Sequence, residues 1–383
     1  MWFTVGQITI AALLIFLIGG TLLNLSRNPH WFIRGWDFPR LQILGLAVVL
    51  LSLYVGIDRW GGAWRWYDTA LVVATVLMIL WQASRIFAYT RLSRVQVVNT
   101  RRRDDAQTLR LVVSNVQMEN REYDRWMKVI TDADPDVILA VEIDHTWFES
   151  LRPIRDRYPH EVSQPQDNYY GMLLLSRFEL RDVKVRFIVQ DDIPSIHVVI
   201  VLPSGQEVRF CGVHPRPPEP IRDEDSSHRD AELVVIAREL ADEPRPSVIG
   251  GDLNDVAWSY TTRLFLKLGE MLDPRRGRGL YSTWNAEHTF FRFPLDHVFH
   301  SNCFSLRELR RLDYAGSDHF PMLIELQYEP EVKSEQPEMP KDEDDEEVAQ
   351  EIIDREEQNE NKAVKSRKGH EEGDAGSGPP RRS

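Results

Sequence analysis

Hydrophobic and polar positions divide this chain into three regimes. Up to about residue 99 the apolar residues come in long unbroken runs, Val5 to Leu25, Leu41 to Ile57 and Tyr67 to Phe87. From residue 100 to 328 they come in short runs that alternate with amphipathic stretches. Beyond Glu329 they nearly vanish. Runs of roughly 17 to 21 apolar residues match the roughly 30 Å hydrocarbon core of a bilayer, so three membrane-spanning helices are predicted. Trp2, Trp31, Trp36, Trp60, Trp64, Trp66 and Trp81 crowd the ends of these runs, as interfacial aromatics do. A cleaved signal peptide fits poorly: the first run has neither a basic leader nor a small-residue cleavage site, and two more apolar runs follow at once.

In the middle regime, RLVVSNVQ, DVILAVEID, GMLLLSR, Ser195 to Leu202, VRFCGVH, PSVIGGDLND, PLDHVF and Phe320 to Gln327 read as strands. Helical periodicity falls on Arg121 to Thr131, Thr146 to Arg157, Ser226 to Leu240 and Ser259 to Leu268. The pattern predicts a layered α/β domain. Runs apolar throughout, such as VVIVL and MLLL, suit sheets covered on both faces.

Several of the strand-like runs break on a polar group. In chain order these are Asn115, Glu142, His214, Asp252 with Asn254, and Asp296 with His297, followed by Asp318 with His319. Hard oxygen donors and imidazoles at converging strand ends, in a chain with only two cysteines, point to a divalent ion such as Mg²⁺ or Mn²⁺ and to phosphoryl chemistry. Cys211 and Cys303 read as core residues, with no disulfide or zinc framework.

Taken together, Asn115 with Asn120, AVEID, GMLLLSR ending at Arg177, GGDLN, LDHVF and GSDHFP resemble the endonuclease/exonuclease/phosphatase superfamily, the metal-dependent phosphodiesterases built like pancreatic deoxyribonuclease. The resemblance covers about Leu109 to Tyr328. It implies two packed sheets flanked by helices, with the site at one edge of the sandwich. It also implies roles. Glu142 is the metal carboxylate, supported by Asn115, with Asp318 on the same side. Asp252 orients or deprotonates the attacking water, Asn254 donates to the phosphate, and His214 contacts it. His319 meets the phosphoryl group, oriented by Asp296, either as imidazolium or as base. His297, on the alternate face of its strand, reads as packing. The stiff insert PRPPEPIRDEDSSHR brings Arg216, Arg222 and Arg229 toward the mouth as substrate-binding candidates. Arg275, Arg276 and Arg278 carry the choice between substrate contact and structure, and Trp284, Phe290 and Phe291 read as core fillers.

Charge refines this picture. The net −13 divides into +5 over residues 1–99, −9 over 100–328 and −9 over 329–383. An acidic catalytic domain weighs against long duplex nucleic acid, which is gripped by basic faces. The charged tail lacks the apolar residues to order itself and is expected to be disordered over 329–383, with at most a short helix near Glu346 to Asn361. Arginines concentrate between the first two runs and after the third, so the positive-inside tendency predicts a cytoplasmic catalytic domain at an inner or plasma membrane. The leading expectation is a membrane-anchored, divalent-metal phosphodiester or phosphomonoester hydrolase. Its substrate is a nucleic acid, lipid head group or small phosphoester, its other partner the lipid bilayer, and no feature indicates a protein partner. The alternative is an inactive binding or scaffold module at the membrane.

Overall fold

The computed structural model describes residues 2–59, 64–218 and 225–375. It opens with α1 (Trp2–Leu23), a single turn α2 (Trp31–Arg34), α3 (Arg40–Arg59) and α4 (Trp66–Phe87). Val5–Leu23, Arg40–Ile57 and Trp66–Phe87 are long and apolar enough to cross a membrane. Their outward faces carry Ile8, Ile15, Phe16, Leu53, Leu77 and Leu80 in the open. Their inward faces pack Leu14, Ile43, Ala47, Leu50 and Met78 against one another. Polar groups on these helices turn inward and satisfy each other: Arg40 pairs with Asp37 and donates to Gln82 at 2.7 Å, and Gln82 donates to Thr21 at 2.9 Å. That is the arrangement a hydrocarbon surround demands, since an unpaired polar group has no water to turn to.

The catalytic region contains β1 (Thr108–Asn115), α5 (Tyr123–Ala133), β2 (Val137–Val141), α6 (His145–Ser150), α7 (Arg152–Arg155), β3 (His160–Gln164), β4 (Met172–Ser176) and β5 (Glu179–Arg186). There follow β6 (Ser195–Val201), β7 (Glu207–Val213), α8 (Ser227–Ala241), β8 (Ser247–Asp252), α9 (Tyr260–Leu268), β9 (Asp296–His300), β10 (Phe304–Arg311) and β11 (Met322–Tyr328). They form two mixed sheets, ordered β10-β11-β1-β2-β4-β3 and β5-β6-β7-β8-β9. The sheets face each other across a core of Leu111, Val113, Leu139, Val141, Val198, Phe210 and Val248. Helices cover both outer faces: α5 and α6 bury Trp126, Ile130 and Trp147 on one, and α8 and α9 bury Leu233, Ile236 and Phe265 on the other. The expected helix-flanked sandwich is therefore present.

Each sheet holds one parallel pair, β1 with β2 and β7 with β8. Parallel neighbours end on the same side, so Asn115, Glu142, His214 and Asp252 leave the sandwich together. Strand β9 runs antiparallel to β8 with Asp296 opposite Asp252, which returns a further carboxylate to that end.

Part of the acidic tail is helical. After a turn at Pro330–Glu335, helix α10 (Glu343–Ala375) lies along α8 and α9. Val348, Ala349 and Ile352 fall on one stripe and are buried there. Asp345 also meets Lys267 at 2.6 Å and Asp344 meets Arg27 at 2.6 Å. Composition averaged over the tail hid a stripe narrow enough to need only a ready-made groove. Both cysteines are free and buried, as their context indicated.

The apolar helical region is docked on the catalytic region. Ser226 N–H donates to Pro29 O at 3.0 Å, Trp258 Nε1 to Asp37 O at 2.7 Å, and Tyr89 Oη to Ala257 O at 2.6 Å. Segments before α3 and after α4 thus lie on one side, as two antiparallel helices, α3 and α4, between them require.

Candidate active site

The strand-end residues meet in a cleft of about 920 Å³ whose wall includes Glu142, His214, Asp252, Asn254, Asp318 and His319. Local sequence explains how each is presented. Asp252 ends β8 behind Gly251, whose φ of 154° and close approach to β7 exclude a side chain, because a Cβ would strike the Val213 carbonyl. Glu142 and Asn254, the residues that turn their chains out of the sheets, adopt left-handed φ values of 65° and 51°. Such strain in non-glycine residues persists where surrounding contacts hold it, and it concentrates at functional sites.

Asn115 ties the two halves together, its amide nitrogen donating to Glu142 Oε1 at 2.8 Å and to Asp252 Oδ2 at 3.1 Å. The amide oxygen is already engaged by the Gln117 N–H at 2.9 Å. Glu142 also accepts from the Met118 N–H at 3.0 Å. Burial pushes the Glu142 carboxyl up to about 7, beyond what these two hydrogen bonds and the nearby His319 charge offset. Asp252 accepts from the Asn254 N–H at 2.9 Å, and its Oδ2 lies 3.5 Å from His319 Nε2 and 3.9 Å from His214 Nε2. Burial raises this carboxyl as well.

His319 Nδ1 is 2.8 Å from Asp296 Oδ2, and both residues are buried. Burial alone would depress the imidazole. The charges of Asp296 and Asp252, with the hydrogen bond to Asp296, overcome it and push His319 up to about 10. It is therefore an imidazolium at neutral pH, with Nδ1–H given to Asp296 and Nε2–H turned toward Asp252. His214 differs. Without such a pair, burial pulls it down to about 4, so it is neutral, its ring beside Tyr170 and its Nδ1 without a hydrogen-bond partner among the described residues.

The chemistry of these donors suits a divalent cation. Glu142, Asp252, Asp296 and Asp318 put four carboxylates around one imidazolium; among the described residues no cationic side chain is bonded to the desolvated Glu142, and the buried Asp296 Oδ1 has no hydrogen-bond partner. Donor atoms of Asp252, Asp296 and His319 lie within 4.8 Å of one another. Part of that closeness is the Asp296–His319 hydrogen bond itself. Asp318 accepts from Trp284 Nε1 at 2.8 Å.

Other expectations are corrected. Arg229 is not at the mouth: it is 2 % exposed, paired with Asp230 at 2.9 Å, and donates to Asn254 O at 2.8 Å, so it supports the left-handed turn. Arg216 is paired with Asp192 at 2.8 Å and lies over the Tyr170 ring, outside the cleft wall. Arg222 falls outside the described residues. Arg275 is buried against Asp273 and donates to His297 Nδ1 at 2.6 Å, while His297 Nε2 lies 2.9 Å from Asp255 O. That network fixes a neutral His297 away from the cleft, consistent with packing. Phe290 and Phe291 are 84 % and 62 % exposed rather than core, because their 3₁₀ turn projects from the rim.

Sequence reasoning missed Ser317 and the membrane-side wall. Ser317 Oγ donates to Asn115 O at 2.9 Å and accepts from the His319 N–H at 3.0 Å, locking the Ser-Asp-His turn against β1. Its place in GSDH was the available signal. Trp31, Arg34, Gly35, Phe38 and Pro39, between α1 and α3, also line the cleft. No local signal in that segment marks it as part of the site.

The pattern of the Endonuclease/Exonuclease/phosphatase family matches residues 112–319, more than half of the chain. No curated protein matches the chain. Among solved structures, the human Nocturnin catalytic domain is 16% identical with a TM-score of 0.48, over 60% of this chain and 96% of that one. An endonuclease/exonuclease/phosphatase from Bacteroides vulgatus is 16% identical with a TM-score of 0.47, over 58% and 99%. D. rerio TDP2, in complex with a single-strand DNA product, is 15% identical with a TM-score of 0.46, over 57% and 99%.

Proposed function

We propose, from the premise that the chain belongs to the endonuclease/exonuclease/phosphatase family and is a metal-dependent phosphoesterase, that it is membrane-anchored and hydrolyses a phosphate ester in the cleft between its two sheets. The observation that carries this reading is the convergence of a desolvated Glu142 with a charged Asp296–His319 pair around Asp252. Buried charges cost folding free energy, and a site that assembles them is organised for charge that arrives with its ligand.

Glu142 and Asp318, with Asn115 behind Glu142, would hold Mg²⁺ or Mn²⁺. When bound, such an ion neutralises phosphate oxygens and helps the leaving oxygen depart. Asp252 orients a water and takes its proton, a role its raised affinity for protons favours. His319, kept as imidazolium by Asp296, offers Nε2–H to the charge that develops on the phosphoryl oxygens. Asn254 spends one amide N–H on Pro215 O at 3.0 Å and keeps a second for the phosphate. His214, neutral, donates or accepts at the substrate without changing the net charge of the site.

The test is a phosphoester panel. Purified full-length protein in detergent, with Mg²⁺ or Mn²⁺, is offered single- and double-stranded DNA, RNA, phosphoinositides and sphingomyelin. Hydrolysis of at least one, abolished by EDTA, is expected. No hydrolysis under either metal would remove the enzymatic reading.

A further inference from the structure

We infer that the cleft acts on phosphate esters of membrane lipids presented by the bilayer, with Arg34 taking the lipid phosphate; this deepens the phosphoesterase reading above and rests on it. The observation is the position of the chain between α1 and α3. That segment leaves the first apolar helix at Leu23, enters the next at Arg40, and on the way forms one wall of the cleft that holds Asp252 and His319. It is fixed there by the Pro29 and Asp37 carbonyls described above and by an edge-to-face contact of Phe38 with Phe293, ring centroids 5.6 Å apart. A cleft walled by the connection between two membrane-crossing helices opens at head-group level. There a lipid presents its phosphate while its chains stay in hydrocarbon.

Three further features fit that occupant. Arg34 lines the cleft at 8 % exposure; its Nη2 contacts Asp230 at 3.3 Å, and its Nε has no hydrogen-bond partner among the described residues. A guanidinium with a spare buried donor is a phosphate-binding group in waiting. Trp31, Phe38 and Pro39 make the same wall apolar, as the lipid backbone requires. At the rim, Phe32, Phe290 and Phe291 stand exposed, and the Phe290 carbonyl accepts from Gln42 on α3, which puts this aromatic edge beside the start of a span, where interfacial aromatics belong. The net −9 of residues 100–328 disfavours the polyanionic backbone of a nucleic acid.

The step is a hydrolysis. The oxygen of water forms a bond to phosphorus and its proton passes to Asp252, while the bond from phosphorus to one ester oxygen breaks; that oxygen leaves as an alkoxide, takes a proton from solvent water and departs as the alcohol, and Asp252 returns its proton to solvent. No oxidant or further reactant is needed.

The test uses the full chain reconstituted with Mg²⁺ into liposomes of phosphatidylethanolamine, phosphatidylglycerol and cardiolipin, and separately of phosphatidylcholine and sphingomyelin. Lipid products are followed by mass spectrometry, beside bis(4-nitrophenyl) phosphate and a single-stranded oligonucleotide as soluble diesters. At least one lipid is expected to turn over tenfold or more faster than either soluble diester. Equal or slower lipid turnover, or intact lipid beside cleaved soluble diester, overturns the lipid assignment and leaves the phosphoesterase reading standing. Absence of all cleavage overturns both. Arg34→Gln and, separately, Trp31→Ala are expected to lower the ratio of lipid to soluble turnover at least tenfold; an unchanged ratio in both would refute the role of this segment.

Discussion

Removing Asp296 tests whether the buried acid acts through His319 or merely stabilises β9. Its Oδ2 is 2.8 Å from His319 Nδ1, and the two side chains are 0 % and 6 % exposed. Against burial, which alone would lower it, the imidazole is carried from 6.5 to about 10, a preference for the charged form on the order of 5 kcal/mol by the usual conversion of pKa to free energy. Asp296 is the first of the charges that supply it. With Asp296→Asn, one amide oxygen can still accept from Nδ1, but the opposing charge is gone, and the imidazole falls toward neutrality. A preorganised charge facing the transition state is worth about 10²- to 10³-fold in rate, roughly 3 to 4 kcal/mol. Asp296→Asn and His319→Ala should each lose about that much. If the two act as a unit, Asp296→Asn/His319→Ala should fall within about tenfold of either single variant rather than at the product of the two losses, about 10⁴ or more. The assay is turnover of the best substrate from the panel, with melting temperature in parallel. The protonated imidazole is the useful form, so the wild-type rate should hold between pH 7 and 9 and decline as pH rises toward 10. In Asp296→Asn the decline should begin at lower pH. Losses that multiply, or a melting temperature that collapses while turnover survives, would refute the pairing.

Three other outcomes are expected. Activity should be abolished by excess EDTA and restored by Mg²⁺ or Mn²⁺, and Glu142→Gln should lose at least about a hundredfold in rate, of the order of 3 kcal/mol, because it removes the charge proposed to hold the ion; full activity in EDTA would contradict this. A reporter that works only after export, fused to the C-terminus, should stay silent, whereas a strong signal would put the catalytic region outside. Glu232, buried in α8, is pushed up to about 8 by desolvation, and its Oε1 has no hydrogen-bond partner among the described residues. The folded state therefore binds the proton more tightly than the unfolded chain, so this residue's contribution to stability should fall as pH rises from about 4.5 to about 8. Glu232→Gln should flatten that fall and raise the melting temperature at pH 8; an unchanged pH dependence would contradict the buried-proton account.

What the sequence determined by itself follows from local rules. Three runs of membrane-spanning length were legible because a bilayer imposes a minimum number of consecutive apolar residues, and α1, α3 and α4 begin and end within a few residues of those expected. Central strands β1, β2, β4, β6 to β8 and β11 were legible because they are largely apolar and buried, edge strand β9 because its buried run follows Asp296, and the site residues because a polar group at the end of such a run is locally anomalous. Edge strands β3, β5 and β10 were not, since HEVSQ, ELRDVKVR and FSLRELRR alternate charge with half-exposed residues, and their pairing is decided by a neighbour distant in sequence. The same limit applies to chemistry. Asp296 and His319 are 23 residues apart and are joined only because β9 returns to the end of the sandwich where the Ser-Asp-His turn is pinned. That union decides that His319 is charged and His214 neutral, although both are buried imidazoles at strand ends or turns. Arg229 looked like a mouth residue and became an internal support, because α8 turns it inward onto Asp230 and Asn254. Arg34, one of the arginines between the first two apolar runs, became a cleft wall, because the apolar helices dock against the loop that follows Asp252. Local sequence sets how far a segment is apolar and where it breaks, but charge state and access depend on groups brought within a few ångströms by the fold, and burial there magnifies each of them.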